Sequence, residues 1–177
     1  MQIDISKMTN IKYVTLFGGA MNITDSPEYV DTIAIGKLLG EKGYVVKSGG
    51  YGGMMEAVSK GASEAGATVL GYTCGTFRST QGNQYLTHNT VAKDIYDRLR
   101  YLISDSELLI FQKGGVGTFA ELFLALDEIR KRKDKPKVIL IGLFWIPIME
   151  SVSVNMTEKE KSMYIITENY ETFKELI

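Results

Sequence analysis

The stretch ELLIFQKGGVGTFAE, residues 107–121, decides the fold. Its apolar run is short, branched and closed by glycine, so residues 107–111 read as a strand. Gly114-Gly115-Val116-Gly117 follows, and then a helix beginning near Thr118. Thr118 and Glu121 have capping-box spacing. Phe119, Leu122, Leu126 and Ile129 recur at helical period and supply an apolar stripe. A strand running through glycines into a helix is half of a βαβ unit.

The same pattern repeats outward in both directions. Residues 13–17 read as the first strand and end in Gly18-Gly19-Ala20. Ser26 is a helix N-cap with Pro27 at the first helical position. That helix runs over 27–42, with Tyr29, Val30, Ile33, Ala34 and Leu38 as its buried side and Gly43 as its stop. Residues 44–47 form the second strand and enter Ser48-Gly49-Gly50-Tyr51-Gly52-Gly53. A helix over 54–64 follows, with a small-residue face of Ala57, Val58, Gly61 and Ala62. Further strands are predicted over 68–72, 138–141 and 163–167, and further helices over 90–104, 144–152 and 170–177. Residues 73–89 read as a long polar connection, a kind of segment that often carries function. Residues 1–10 read as a loose arm. The whole predicts one three-layer, Rossmann-like α/β domain over 1–177 with a mostly parallel central sheet.

Three strand-to-helix turns are thus glycine-rich, and a parallel sheet gathers them at one edge. Gly18, Gly19, Gly49, Gly50, Gly52, Gly53, Gly114, Gly115 and Gly117 allow close backbone approach there. Helix-start amides behind them can hold phosphate oxygens, and Thr118 adds a hydroxyl. The pattern lacks the lysine and hydroxyl ending of a Walker A loop. It also fails to complete the dinucleotide fingerprint.

Composition narrows the function classes. The chain has 177 residues, 45% of them hydrophobic, and 20 basic residues against 21 acidic ones. A formal net charge of −1 gives no overall attraction for polyanions. The basic cluster from Arg130 to Lys137 reads as a solvated helix end, so no nucleic-acid partner is expected. The longest apolar run, residues 139–149, contains Gly142 and Pro147 and is too short to span a bilayer, so no membrane partner is expected. Cys74 stands alone, which excludes an internal disulfide and favours the cytoplasm. His88 is the single histidine and has no ligand cluster around it, so neither a metal nor a cofactor is predicted.

The segment Gly114-Gly115-Val116-Gly117-Thr118-Phe119-Ala120-Glu121 resembles the glycine-glycine-any-glycine-threonine-any-any-glutamate motif of the Lonely Guy (LOG) family. These nucleoside-monophosphate phosphoribohydrolases are often labelled lysine decarboxylases, and molybdenum-cofactor carriers are among their divergent relatives. Residues 48–55 resemble the family's second glycine segment, and the similarity in order and spacing covers roughly residues 11–177. Arg98 matches the family arginine, whereas Leu99 stands where a lysine is usual and Lys113 where a proline is usual. The resemblance implies hydrolysis of the N-glycosidic bond of a nucleoside 5′-monophosphate, releasing free base and ribose 5-phosphate. The alternative it carries is a non-catalytic nucleotide or molybdenum-cofactor module. It also implies a homodimer.

On this reading Arg98 and Glu121 are the catalytic candidates. Glu121 offsets charge at the anomeric carbon, and Arg98 positions it or binds ligand oxygens. The other reading makes Glu121 a capping partner and Arg98 a snorkelling surface residue. Tyr51, Phe77 and Tyr85 are candidates to stack on a base or to pack. Arg78 is a second clamp candidate, Lys113 lies beside the loop or in water, and His88 is a leaving-group acid or a silent loop residue.

Overall fold

The computed structural model describes residues 11–21 and 24–177, so the arm expected over 1–10 lies outside the described residues. The elements are β1 (Tyr13–Phe17), α1 (Pro27–Glu41), β2 (Val45–Ser48), α2 (Met54–Glu64), β3 (Val69–Cys74), β4 (His88–Ala92), α3 (Ile95–Ile103), β5 (Ser106–Phe111), α4 (Val116–Lys131), β6 (Lys137–Ile141), α5 (Trp145–Ser153), α6 (Glu158–Lys161), β7 (Ile165–Thr167) and α7 (Tyr170–Lys174). Every pairing among the seven strands is parallel, in the order β4-β3-β2-β1-β5-β6-β7. The chain builds outward from β1 to β4, crosses back through α3, and resumes at β5 on the other side of β1. That reversal leaves a crevice above the carboxyl ends of β1 and β5.

Alternation along the central strands separates two apolar layers. Val14, Leu16, Leu108, Ile110, Ile139 and Ile141 face α1, α2 and α7. Phe17, Leu109, Phe111, Val138 and Leu140 face α3, α4 and α5. Burial on both faces makes β5 and β6 near-continuous apolar runs.

Local sequence starts and stops several helices as expected. The Ser26 side chain accepts from the Tyr29 amide, and Gly43 ends α1 at φ +79°. The buried side of α1 differs from the expectation. Tyr29, Thr32, Ile35, Gly36 and Leu39 face inward, and Val30 faces water. The cause lies in α2. A Cβ on Gly36 would lie 2.3 Å from the Val58 carbonyl oxygen, and one on Gly61 would lie 1.9 Å from the Ile33 carbonyl oxygen. The two helices cross backbone to backbone at these glycines, and that contact sets the rotation of α1.

Three further departures matter for the site. Residues 88–92, divided between a loop and a helix in the sequence reading, form the edge strand β4. The helix that follows starts at Ile95 rather than Thr90, and His88 is an exposed strand residue rather than a loop residue. Helix α4 starts at Val116 with Gly115 as N-cap, so Thr118 is its third residue and does not cap. Short α6 lies in the polar stretch before β7.

Buried polar groups lock α3 to the sheet. The Lys47 ammonium donates to the Tyr101 and Ser104 carbonyls at 2.7 and 2.6 Å, meeting orphan carbonyls at the helix end. Burial pushes this amine down to about 8. The Thr15 hydroxyl donates to the Leu102 carbonyl at 2.6 Å.

The helix crossing gives a direct test. Gly61→Ala gains helix propensity but drives a methyl into a carbonyl, so it should lose roughly 1–3 kcal/mol of stability. Urea unfolding with an unchanged midpoint would show that α1 and α2 are not held this closely.

Candidate functional site

The three glycine turns meet at the crevice. The Gly19 amide donates to the Lys113 carbonyl and the Gly19 carbonyl accepts from the Met54 amide, both at 2.9 Å. A Cβ on Gly53 would lie 2.2 Å from the Gly19 oxygen, and one on Gly114 would lie 2.8 Å from the Gly19 nitrogen. Gly53 also has a φ of +63°, which favours glycine independently. The first turn is therefore clasped between the other two.

These contacts divide the predicted glycines. Gly18, Gly19, Gly115, Gly117 and Thr118 line an open cleft of about 430 Å³. Gly49, Gly50, Gly52, Gly53 and Gly114 do not line it. A Cβ on Gly49 would lie 1.9 Å from the Arg98 Nη2, so this glycine makes room for the guanidinium. Gly50 adopts a φ of +80° where the chain turns over β3.

Arg98 is 5% exposed and occupies the floor. Its Nε donates to the Tyr72 carbonyl at 2.7 Å, Nη2 to the Gly49 carbonyl at 3.3 Å, and Nη1 to Glu121 Oε1 at 3.2 Å. Tyr51 and Phe77 each lie with the ring centre 5.7 Å from its central carbon. The snorkelling reading is therefore wrong. Arg98 is fixed by three elements, and its fork aims Glu121.

Glu121 also departs from the capping reading, because its oxygen meets Arg98 across 23 residues of sequence. Burial pushes its carboxyl up to about 7, even though the Arg98 charge beside it pulls the other way. Such a group exchanges a proton near neutrality. It is the one carboxyl among the residues that line the cleft.

The start of α4 is the other chemical feature. The amides of Val116, Gly117 and Thr118 have no hydrogen-bond partner among the described residues, and the first turn holds no acidic residue. A Cβ on Gly115 or Gly117 would meet nothing within 4 Å. The backbone here is open to a ligand, and its dipole favours an anion.

The remaining candidates separate. Tyr51, Phe77, Arg78 and Ser79 line the cleft. Tyr85, Lys113 and His88 are not among its lining residues. Lys113 is paired with Glu28 at 2.9 Å. Arg130 and Lys131 are paired with Asp127, and Arg132 lies 3.8 Å from Glu128. Sequence reasoning missed Met55 in the cleft wall and the bridging role of the Tyr51 hydroxyl. No helix of the described residues is long and apolar enough to cross a membrane.

Comparison with known proteins places this geometry in a family. A model described as the SLOG cluster4 family matches residues 11–173. An uncharacterized protein of Archaeoglobus fulgidus is 32% identical over 127 residues, spanning 67% of this chain and 78% of that protein. The molybdenum cofactor binding protein of the phototrophic bacterium Rippkaea orientalis superposes with a TM-score of 0.75 at 22% identity, over 95% of this chain and 96% of that one. The molybdenum cofactor carrier protein of Chlamydomonas reinhardtii gives a TM-score of 0.74 at 21% identity, over 94% and 95% of the two chains. These two structures share the fold, and the LOG-like kinship with carrier-like relatives that the glycine motifs imply is upheld. The chain belongs to the SLOG cluster4 family.

Proposed function

We propose that the protein hydrolyses the N-glycosidic bond of a nucleoside 5′-monophosphate in the cytoplasm, releasing free base and ribose 5-phosphate. One observation carries this reading. A carboxyl held by Arg98 and poised near neutrality lies four residues beyond Gly117, whose amide has no hydrogen-bond partner among the described residues. Four residues of α-helix rise about 6 Å. A phosphate seated on the α4 amides therefore places its ribose beside Glu121.

The chemistry follows from that placement. The bond between the anomeric carbon and the base nitrogen breaks, and its electron pair leaves with the base. Ionised Glu121 offsets the positive charge that develops on the ribose. It also takes a proton from the attacking water, whose oxygen bonds to the anomeric carbon. That proton is then available to the departing base, since no second carboxyl lines the cleft. Arg98 holds the carboxylate in place, with three of its five donors taken by Tyr72, Gly49 and Glu121, and acts as a positioning residue.

A second reading is carriage without turnover of a phosphate-bearing cofactor such as molybdenum cofactor. Its support is the fold shared with a molybdenum cofactor binding protein and a molybdenum cofactor carrier protein. Both readings place the anion at the same amides. Either takes the working form as a homodimer, for which exposed Tyr96 and Tyr101 on α3 and Phe123 and Leu124 on α4 are available.

Chromatography of a nucleoside-monophosphate panel incubated with the protein should show free base accumulating. Tight binding with no base released would leave the carrier reading. Glu121→Gln preserves an acceptor for Arg98 but removes the charge, and should lower turnover at least 100-fold while unfolding stays cooperative. Near wild-type turnover in this variant would remove Glu121 from the mechanism.

The pH profile supplies an independent check. The ionised form of Glu121 is the active one, so kcat/KM should fall as pH drops below about 7. An acid limb that bends instead in the ordinary glutamate range would show that burial does not govern this group in the free enzyme.

Gly117→Ala separates binding from folding. The added methyl meets open space, so stability should hold or rise by up to ~1 kcal/mol from helix propensity. Affinity for ribose 5-phosphate should fall at least tenfold by calorimetry. Unchanged affinity would place the phosphate elsewhere.

A further inference from the structure

The cleft wall remote from the α4 amides is the turn after β3, and its chemistry is one-sided. Phe77, Arg78 and Ser79 line the cleft there. The Tyr51 hydroxyl accepts from the Cys74 amide and donates to the Ser79 carbonyl, both at 2.9 Å. One phenol thereby spans both ends of the turn. Its ring stacks on Phe77 with centroids 6.1 Å apart. The turn is thus tied to the second glycine segment and to Arg98 before any ligand arrives.

Arg78 differs from every other polar group on this wall. It is exposed and makes no hydrogen bond or ion pair with any described residue. A guanidinium carries donors only, in a flat fork. Its position decides what that fork meets. Strand β3 is two places from β1 and three from β5, which at ordinary strand spacing is about 10–14 Å. A nucleoside monophosphate covers such a span from its phosphate to the outer edge of its base. With the phosphate on α4 and the ribose at Glu121, the base reaches Phe77 and Arg78.

We propose that this turn selects the base. Phe77 supplies an apolar face for the ring, and Arg78 reads an edge carrying two adjacent acceptors. Guanine offers that edge through O6 and N7, and hypoxanthine has the same pair. Adenine places an amino donor beside N7, and cytosine presents an amino group, so each turns a donor toward a donor. The ligand class is therefore a 6-oxopurine nucleoside monophosphate. This inference rests on the monophosphate reading above.

Calorimetric binding of GMP, IMP, AMP, CMP and ribose 5-phosphate to the full chain tests it, with rates of base release measured alongside. GMP and IMP should bind at least tenfold more tightly than AMP and CMP. Arg78→Gln offers one donor and one acceptor, and should erase that preference while leaving ribose 5-phosphate affinity unchanged. Arg78→Lys keeps the charge without the fork and should also lose most of the preference. Equal affinity for the four nucleotides in the wild-type protein would overturn base selection and leave the monophosphate reading standing. Failure of every phosphate to bind, ribose 5-phosphate included, would remove the monophosphate reading and this inference with it. GDP binding tighter than GMP, lost in Arg78→Gln and kept in Arg78→Lys, would assign Arg78 to a second phosphate and overturn the base assignment.

Discussion

A guanidinium almost wholly withdrawn from water must find acceptors, and Arg98 finds them on three different elements. Burying a charge without partners costs several kcal/mol, so the site exists only where β3, the second glycine turn and α4 come together correctly. The Tyr72 and Gly49 carbonyls and the Glu121 carboxylate meet that demand. Gly49 has no side chain because the guanidinium occupies the space. Lys47 and Thr15 secure the far end of the same helix, so the arginine is delivered from a fixed base. The consequence for chemistry is a carboxylate whose position is set by the fold.

Strand order turns this into a linear site. The reversal at β1 and β5 puts the unpaired amides of α4 at one end of the crevice. The turn after β3, with the Phe77 ring and the exposed Arg78 guanidinium, lies at the other. Arg98 and Glu121 sit between them. Uncapped amides, a titratable carboxyl and an aromatic wall thus follow one another in the order in which the proposed nucleotide would present phosphate, sugar and base.

Much of this was legible in the sequence because it rests on local rules. Strand β1 and helix α2 match their expected bounds, and Ser26 and Gly43 begin and end α1 as their chemistry predicts. The convergence of the glycine turns follows from parallel topology. What escaped depends on tertiary context. Strand β4 is mostly exposed and polar, held by its ladder to β3, so it carries no alternation to read. The rotation of α1 is set by glycines on both it and α2, whereas periodicity favoured Val30 and Ile33. Arg98 and Glu121 were visible through a family motif. Their mutual bond is not legible there, since neither spacing nor propensity joins residues on two separate helices.

The glycines of α4 bear on function through what they leave undone. Helices α1, α3, α6 and α7 begin with side-chain caps from Ser26, Asp94, Thr157 and Asn169, whereas α2 and α5 have none. Helix α4 begins at Gly115 with no side-chain cap, no acidic residue in its first turn, and a second glycine at 117. At an N-cap glycine gives up only about a few tenths of a kcal/mol to a capping side chain, whereas glycine inside a helix forgoes about 1 kcal/mol against alanine. Neither Gly115 nor Gly117 has a positive φ or a neighbour that a methyl would strike. Glycine at 115 is an ordinary N-cap choice, whereas folding gives no reason for glycine at 117 and a clear one at Gly49, Gly53 and Gly114. On the proposed function, an anion approaching the bare amides supplies the reason for glycine at 117. On that reading the stability forgone at Gly117, like the raised titration of Glu121 one turn later, serves the ligand rather than the fold.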